Sequence, residues 1–212
     1  MLKNHYINEK LNYIYKKILN IKNIQILELG VQQGKSTKKF LKLINKNKGK
    51  LISVDINDCS KVSKNKKWKF IHSSDDNFKY IDKFIKKNLD VIFIDSLHEP
   101  NHVIKIFYHY YKFLKKGGLC FIDDISWLPY VKNSERDNDF SERINRMTFN
   151  KILEMYHSNR KNVRLEFSFL DSGIAVIKKL SKKKLLRPIY IRDRSFTIKN
   201  LLKKIYAPKP KN

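Results

Sequence analysis

Seven short apolar runs, at residues 24–29, 51–55, 68–71, 91–94, 119–122, 163–170 and 174–177, limit this chain more than any other feature. Most are continuously apolar and rich in β-branched or aromatic residues, the pattern of strands covered on both faces. Helix-period segments separate the first five. One starts near Lys35 (Phe40, Leu41, Leu43, Ile44), another covers 77–87, and a third runs over about 100–114 and stops at Lys115-Lys116-Gly117-Gly118. Cations followed by glycine read as a helix stop. Strand–helix alternation of this length predicts βαβ crossovers, an α/β class chain and a mostly parallel sheet. The last two runs meet through Asp171-Ser172-Gly173, a hairpin signal, so the sheet is expected to end in an antiparallel pair. An amphipathic helix is expected over 6–19, a helix over 149–156 and a basic amphipathic helix near 196–205.

Composition narrows the setting. At 42% hydrophobic the chain has enough apolar material for a core. No run approaches the ~18 apolar residues of a membrane span. No secretory signal is read at the N-terminus. Cys59 and Cys120 lack metal-ligand spacing, and Cys120, inside Gly-Gly-Leu-Cys-Phe-Ile, reads as a buried thiol. A cytoplasmic location is therefore expected. The net charge of +26 points to polyanions. Yet Lys comes with abundant Asn and Ile and few Arg, Gly and Ala, the bias an AT-rich genome imposes on any protein. The charge is most lopsided over 181–212, with 11 Lys/Arg against Asp193 alone.

The chemistry-bearing residues sit where strands end. Glu28-Leu29-Gly30-Val31-Gln32-Gln33-Gly34-Lys35-Ser36-Thr37 joins the first strand to the first helix. In an open α/β sheet the ligand lies at the carboxyl ends of the strands, and Gly30 and Gly34 allow close backbone approach there. The motif is neither a dinucleotide Gly-x-Gly-x-x-Gly nor a Walker loop. An acid just before such a turn suits a ligand carrying an ammonium group. Asp55 ends the second strand, where an acid accepts from ribose hydroxyls. The third strand ends in His72-Ser73-Ser74-Asp75, polar groups placed to read an adenine.

These motifs resemble the class I S-adenosylmethionine-dependent methyltransferases. Glu-Leu-Gly-Val-x-x-Gly-x-Ser-Thr is similar to the glycine motif of the metal-dependent O-methyltransferases. Phe-Ile-Asp-Ser-Leu-His-Glu, then Lys-Lys-Gly-Gly-Leu-Cys-Phe-Ile-Asp-Asp, resembles a subgroup with Ile-Asp-Gly-x-His-x-Tyr, Pro-Gly-Gly and an Asp-bearing strand end. The resemblance covers about 24–124 by motif and 163–178 by topology. It implies a Rossmann-like seven-stranded sheet with an antiparallel last strand, helices on both faces, and S-adenosyl-L-methionine as cofactor. Glu28, Gly30, Gly34 and Ser36 would then meet its methionine portion, Asp55 its ribose, and Ser74 or Asp75 its adenine. Ser96, Pro100 and Asp123 depart from the family's Gly, Tyr, and His or Ala.

Asp95 ends the fourth strand and Asp123 and Asp124 the fifth. Adjacent strands lie about 4.8 Å apart, so these carboxylates converge and call for a cation. A divalent ion such as Mg²⁺ is the expected one, and the resemblance places metal ligands at the same three positions. His98, three residues past Asp95, is the expected general base, and it too matches the family's His. The other histidines read as surface or packing residues.

The expected organisation is an N-terminal helix (1–22), a methyltransferase domain (23–180) with a lid-like insertion at 125–145, and a basic tail (181–212). The expected activity is O-methylation of a small-molecule or glycan hydroxyl, with catalysis by His98 and Asp95. Two other classes were weighed against it. An RNA methyltransferase would use the basic surface, but the Lys-Asp-Lys-Glu set of the ribose 2′-O type is missing. A non-catalytic binding module would have lost the strand-end acids, which are all present. The basic tail is the expected contact for nucleic acid or an anionic membrane surface.

Overall fold

The computed structural model describes residues 2–85, 88–127, 138–192, 198 and 202. In chain order the elements are α1 (Leu2–Ile18), β1 (Gln25–Leu29), α2 (Lys35–Asn47), β2 (Lys50–Asp55), β3 (Trp68–His72), α3 (Phe78–Ile81), β4 (Leu89–Ile94), α4 (Pro100–Tyr110), β5 (Leu114–Asp123), α5 (Asp139–Asn159), β6 (Val163–Ser168) and β7 (Ile174–Lys179). The seven strands form one sheet in the order β3-β2-β1-β4-β5-β7-β6. The first five pair in parallel, and β7 runs antiparallel to both β5 and β6. The order reverses between β1 and β4, which creates a switch point above their carboxyl ends.

Alternation along each strand divides the core between two faces. Ile26, Val91, Phe93 and Phe121 pack against Leu11, Ile14 and Ile18 of α1 and Phe40, Leu43 and Ile44 of α2. Leu27, Leu29, Ile92, Ile94 and Ile122 pack instead with Ile81 of α3, Val103 and Phe107 of α4, and Ile152 and Met155 of α5. Local signals fix the helix starts. Glu99 accepts from the His102 N–H with Pro100 at the first helical position of α4. Asn138 accepts from the Ser141 N–H, and Asp139 and Glu142 lie in the first turn of α5, at the positive end of its dipole.

Several expectations on element boundaries are corrected. Lys115-Lys116-Gly117-Gly118 does not end a helix. It lies inside β5, between the register pairs Leu89–Leu114 and Val91–Leu119, as a bulge with Gly117 at φ +85°. The helix expected over 77–87 is a single turn, Phe78–Ile81, and residues 86–87 lie outside the described residues. The helix expected over 149–156 is 21 residues long and takes in part of the 125–145 insertion. Residues 128–137 of that insertion, with Tyr130 and Arg136, lie outside the described residues. Residues just past 180 also contact the core. Leu186 donates its N–H to Asn159 and its carbonyl accepts from Tyr108 and Asn159, while Ser181 donates to Asn162. The start of the tail is thereby tied to the core. Beyond 192 only Ile198 and Leu202 are described, so the basic helix expected over 196–205 lies outside the described residues. Among the described residues no helix is long and apolar enough to cross a membrane.

Candidate active site

A cavity of about 420 Å³ opens over the carboxyl ends of β1, β4 and β5, within the usual range for small-molecule sites. It is lined by Gly30–Gln33, Lys35 and Ser36 of the turn after β1, by Asp95, His98, Asp123 and Asp124 at the ends of β4 and β5, and by Lys10 and Asp171.

The glycine turn depends on its glycines. Gly30 has φ +95°, and a Cβ there would overlap the Asp95 carbonyl oxygen. The Gly30 N–H donates to Val54 O at 2.9 Å and the Asp95 N–H to Leu29 O at 2.8 Å, which knits the ends of β1, β2 and β4 together. Gly34, at φ +72°, caps α2 against Val62. Both are positions where a side chain meets strain and contact together.

Glu28 lies beneath this turn, fully buried. It accepts from Ser36 Oγ at 2.6 Å, Thr37 Oγ1 at 2.7 Å and Ser53 Oγ at 2.6 Å. Burial pushes its carboxyl up to about 7, against the opposing pull of the three hydroxyls. Glu28 therefore holds the strand-to-helix turn together, and Ser36, which also lines the cavity, spends its hydroxyl proton on it. Since the folded-state value exceeds the ordinary 4.5, the native protein keeps a proton the unfolded chain has lost. Glu28 thus takes stability away as pH rises from about 4.5 to about 7, on the order of 3 kcal/mol in all. Glu28→Gln removes this dependence, so its melting temperature relative to wild type climbs with pH across that window and is flat above it. A parallel pH profile for the two proteins would contradict the assignment.

Asp55, 8% exposed, faces the same turn. Its Oδ2 accepts from the Val31 and Gln32 N–H groups at 2.7 and 3.0 Å, and its Oδ1 from Asn57 N–H at 2.8 Å. Burial alone would raise this carboxyl, but the three backbone donors outweigh it and hold it below the ordinary range. The Cys59 thiol also lies within hydrogen-bonding reach of this carboxylate.

Ser74 and Asp75 are separated in role. Ser74 donates to Asp76 at 2.6 Å. Asp75, 7% exposed, pairs with His102 Nε2 at 2.8 Å and accepts from Ser96 Oγ. Its carbonyl accepts from Tyr110 at 2.6 Å. His102, read from sequence as a surface or packing residue, is thus the hydrogen-bond partner of an expected adenine-side acid. Its place three residues after the helix-capping Glu99 was the signal available.

The structure brings His98, Asp95 and Asp124 together at the ends of β4 and β5. His98 Nε2 lies 3.3 Å from Asp124 Oδ2 and 3.7 Å from Asp95 Oδ1. Asp124 sits at φ +57°, just past the strand, with its N–H on Asp123 Oδ1 at 2.9 Å. Desolvation first, and then the Asp123 charge, push the Asp95 carboxyl well above the ordinary range.

The cation in the cluster is one that sequence reasoning missed. Lys10 of α1, 5% exposed, donates to Asp123 Oδ1 at 2.8 Å, Asp123 Oδ2 at 2.6 Å and Ser172 Oγ at 2.8 Å, and lies 3.3 Å from Asp171 Oδ2. Burial alone would lower its ammonium, but Asp123, Asp124 and Asp95 outweigh this and raise it. Asp123 is lowered in turn: burial would raise it, and Lys10 prevails. Both oxygens of Asp123, expected from sequence to ligate a metal, are hydrogen-bonded to Lys10 here. Among the described residues no group of three His, Cys, Asp or Glu is arranged to hold an ion. A three-carboxylate metal centre does not fit this arrangement. Lys10 carried a signal: it falls at i, i+4, i+8 with Ile14 and Ile18, a lysine on the apolar stripe of an amphipathic helix.

Trp127 has the Arg146 guanidinium 4.2 Å from its ring centroid, a contact that ties the chain after β5 to α5.

Residues 27–125 match the model of a family described as a methyltransferase domain. No curated protein sequence matches the chain. Among solved structures, a Staphylococcus aureus protein assigned as a caffeoyl-CoA O-methyltransferase is similar at 19% identity, TM-score 0.62, over 80% of this chain and 82% of its own. TomG, an O-methyltransferase of tomaymycin synthesis from Streptomyces achromogenes in complex with S-adenosylmethionine, is similar at 13% identity and TM-score 0.58, over 82% of this chain and 80% of its own. MycE, from the mycinamycin pathway, in complex with Mg, S-adenosylhomocysteine and mycinamycin VI, is similar at 17% identity and TM-score 0.58. That match covers 86% of this chain but 51% of MycE. The domain match spans residues 27–125, and the likeness to these solved structures is one of fold.

Proposed function

We propose that the chain is an O-methyltransferase acting on a hydroxyl of a small molecule or sugar, with His98 as general base. The observation that carries this reading is the placement of His98 between Asp124 and Asp95, on the wall of the cavity that Gly30–Gln33 also line. The cofactor's methionine end lies over Gly30–Gly34 and its ribose reaches the Asp55 carboxylate. Ser74 and Asp75 stand on the adenine side. The carboxylates hold the Nε2 proton of His98, which leaves Nδ1 to take the proton of the acceptor hydroxyl. The acceptor oxygen then forms a bond to the sulfonium methyl as the sulfur–carbon bond breaks. The electron pair stays on sulfur, giving the neutral thioether S-adenosylhomocysteine. Asp95 and Asp124 stabilise the imidazolium, and in-line alignment supplies much of the rate.

Metal assistance through Asp95, Asp123 and Asp124 is the finer expectation. With Asp123 bound to Lys10, no step of the proposed mechanism passes through a metal.

The test is transfer of labelled methyl from S-adenosylmethionine to a panel of sugars, catechols, aliphatic alcohols and RNA. Label in an ether of one hydroxyl class supports the reading. Label only in RNA, falling steeply with salt as phosphate contacts release counterions, would give the +26 charge a functional role and replace it. Label only on nitrogen would refute O-methylation.

A further inference from the structure

We infer that Lys10 is the resident cation of the catalytic cluster, so that methyl transfer here is independent of divalent metal and α1 completes the site. The three donors of its ammonium match three acceptors, Asp123 Oδ1, Asp123 Oδ2 and Ser172 Oγ, all within 2.8 Å. The group is therefore fully engaged. A hard divalent ion at Asp123 needs its oxygens at roughly 2.0–2.6 Å. The ammonium already takes both of those oxygens. Its reach is long-range in sequence, 113 residues from helix to strand end, so the contact exists only once α1 has docked on the sheet.

The consequence passes along a chain of contacts. Lys10 fixes the Asp123 carboxylate. Asp123 Oδ1 accepts from the Asp124 N–H and holds that residue in its left-handed conformation. Asp124 Oδ2 faces His98 Nε2. Lys10 is thus a positioning residue, acting on the base through two aspartates. Ser172 adds a third donor to Asp123 Oδ1 at 3.2 Å, and Asp171 adds a further carboxylate at the ammonium. The hairpin between β6 and β7 and the helix α1 therefore close on the cluster from two sides.

The catalytic meaning of this inference rests on the methyltransferase reading, but its test does not. Mn²⁺ is titrated, with detection by electron paramagnetic resonance at pH 7, into full-length wild type, Lys10→Met and Lys10→Arg. Lys10→Met keeps the apolar stem and removes the cation, which exposes Asp95, Asp123 and Asp124 to an external ion. It is expected to bind one Mn²⁺ at least tenfold more tightly than wild type. That gain disappears in Lys10→Met/Asp123→Asn, and Lys10→Arg behaves as wild type. Equal Mn²⁺ binding by wild type and Lys10→Met, at any affinity, overturns the inference. Tight stoichiometric binding by wild type that is lost in Asp95→Asn overturns it as well, even if Lys10→Met does not fold. Calorimetry with S-adenosylhomocysteine on the same wild-type sample reports separately on the methyltransferase reading. Its failure there would leave the Mn²⁺ comparison standing.

Discussion

Replacing His98 with glutamine lowers kcat by about 10²–10⁴-fold, the usual contribution of a positioned general base, and leaves S-adenosylhomocysteine affinity within about twofold of wild type. The two readouts separate because His98 faces Asp124 and Asp95, whereas the proposed cofactor contacts are made by the turn at Gly30–Gln33 and by Asp55. Its carboxylate partners remain in place in the variant, since Asp123 keeps Lys10 and Asp124 keeps its N–H bond to Asp123. An alcohol deprotonates poorly near neutrality, so loss of the base falls on the chemical step. The comparison is made once an acceptor is found, by steady-state kinetics with saturating S-adenosylmethionine. Unchanged kcat would remove His98 from the mechanism.

Asp55→Ala has the second large effect, a loss of cofactor affinity of about 10–100-fold, the scale of one or two charge-assisted hydrogen bonds. The carboxylate acts in two ways. It offers an acceptor position to a ribose hydroxyl, and it pins the Val31 and Gln32 N–H groups that shape the turn. Asp55→Asn keeps the shape but loses the charge, and is expected to fall between wild type and Ala. Calorimetric titration of S-adenosylhomocysteine into the three proteins measures the series. Equal affinity across it would show that the end of β2 does not meet the cofactor.

The sheet was legible because its strands are buried on both faces. Runs such as Gln25–Leu29 and Leu89–Ile94 have no solvent face to interrupt the apolar pattern, and Gly30 marks where one of them stops. The strand-end residues Asp55, Asp95, Asp123 and Asp124 followed from those limits. Boundaries were less legible where one local signal serves two structures. Lys115–Gly118 carries the cations and glycines of a helix stop, and they also suit a bulge near the start of a strand. Asp139 and Glu142 read as part of a polar loop, yet acids belong in the first turn of a helix, and Asn138 caps it. Lys10 was the most consequential omission. Its partner is 113 residues away, and no periodicity in a single sequence reports an ion pair at that separation. What remained visible was only a lysine in line with Ile14 and Ile18, a position where burial demands a counter-charge.

The most direct test of the account is a crystal structure of the full chain with S-adenosylhomocysteine. The account predicts the amino-acid end over Gly30–Gly34, the ribose hydroxyls on Asp55, and the sulfur turned toward the cavity wall that carries His98 and Asp95. A ligand bound elsewhere, or in this cavity with its ribose away from Asp55 and its sulfur turned from His98, would contradict it.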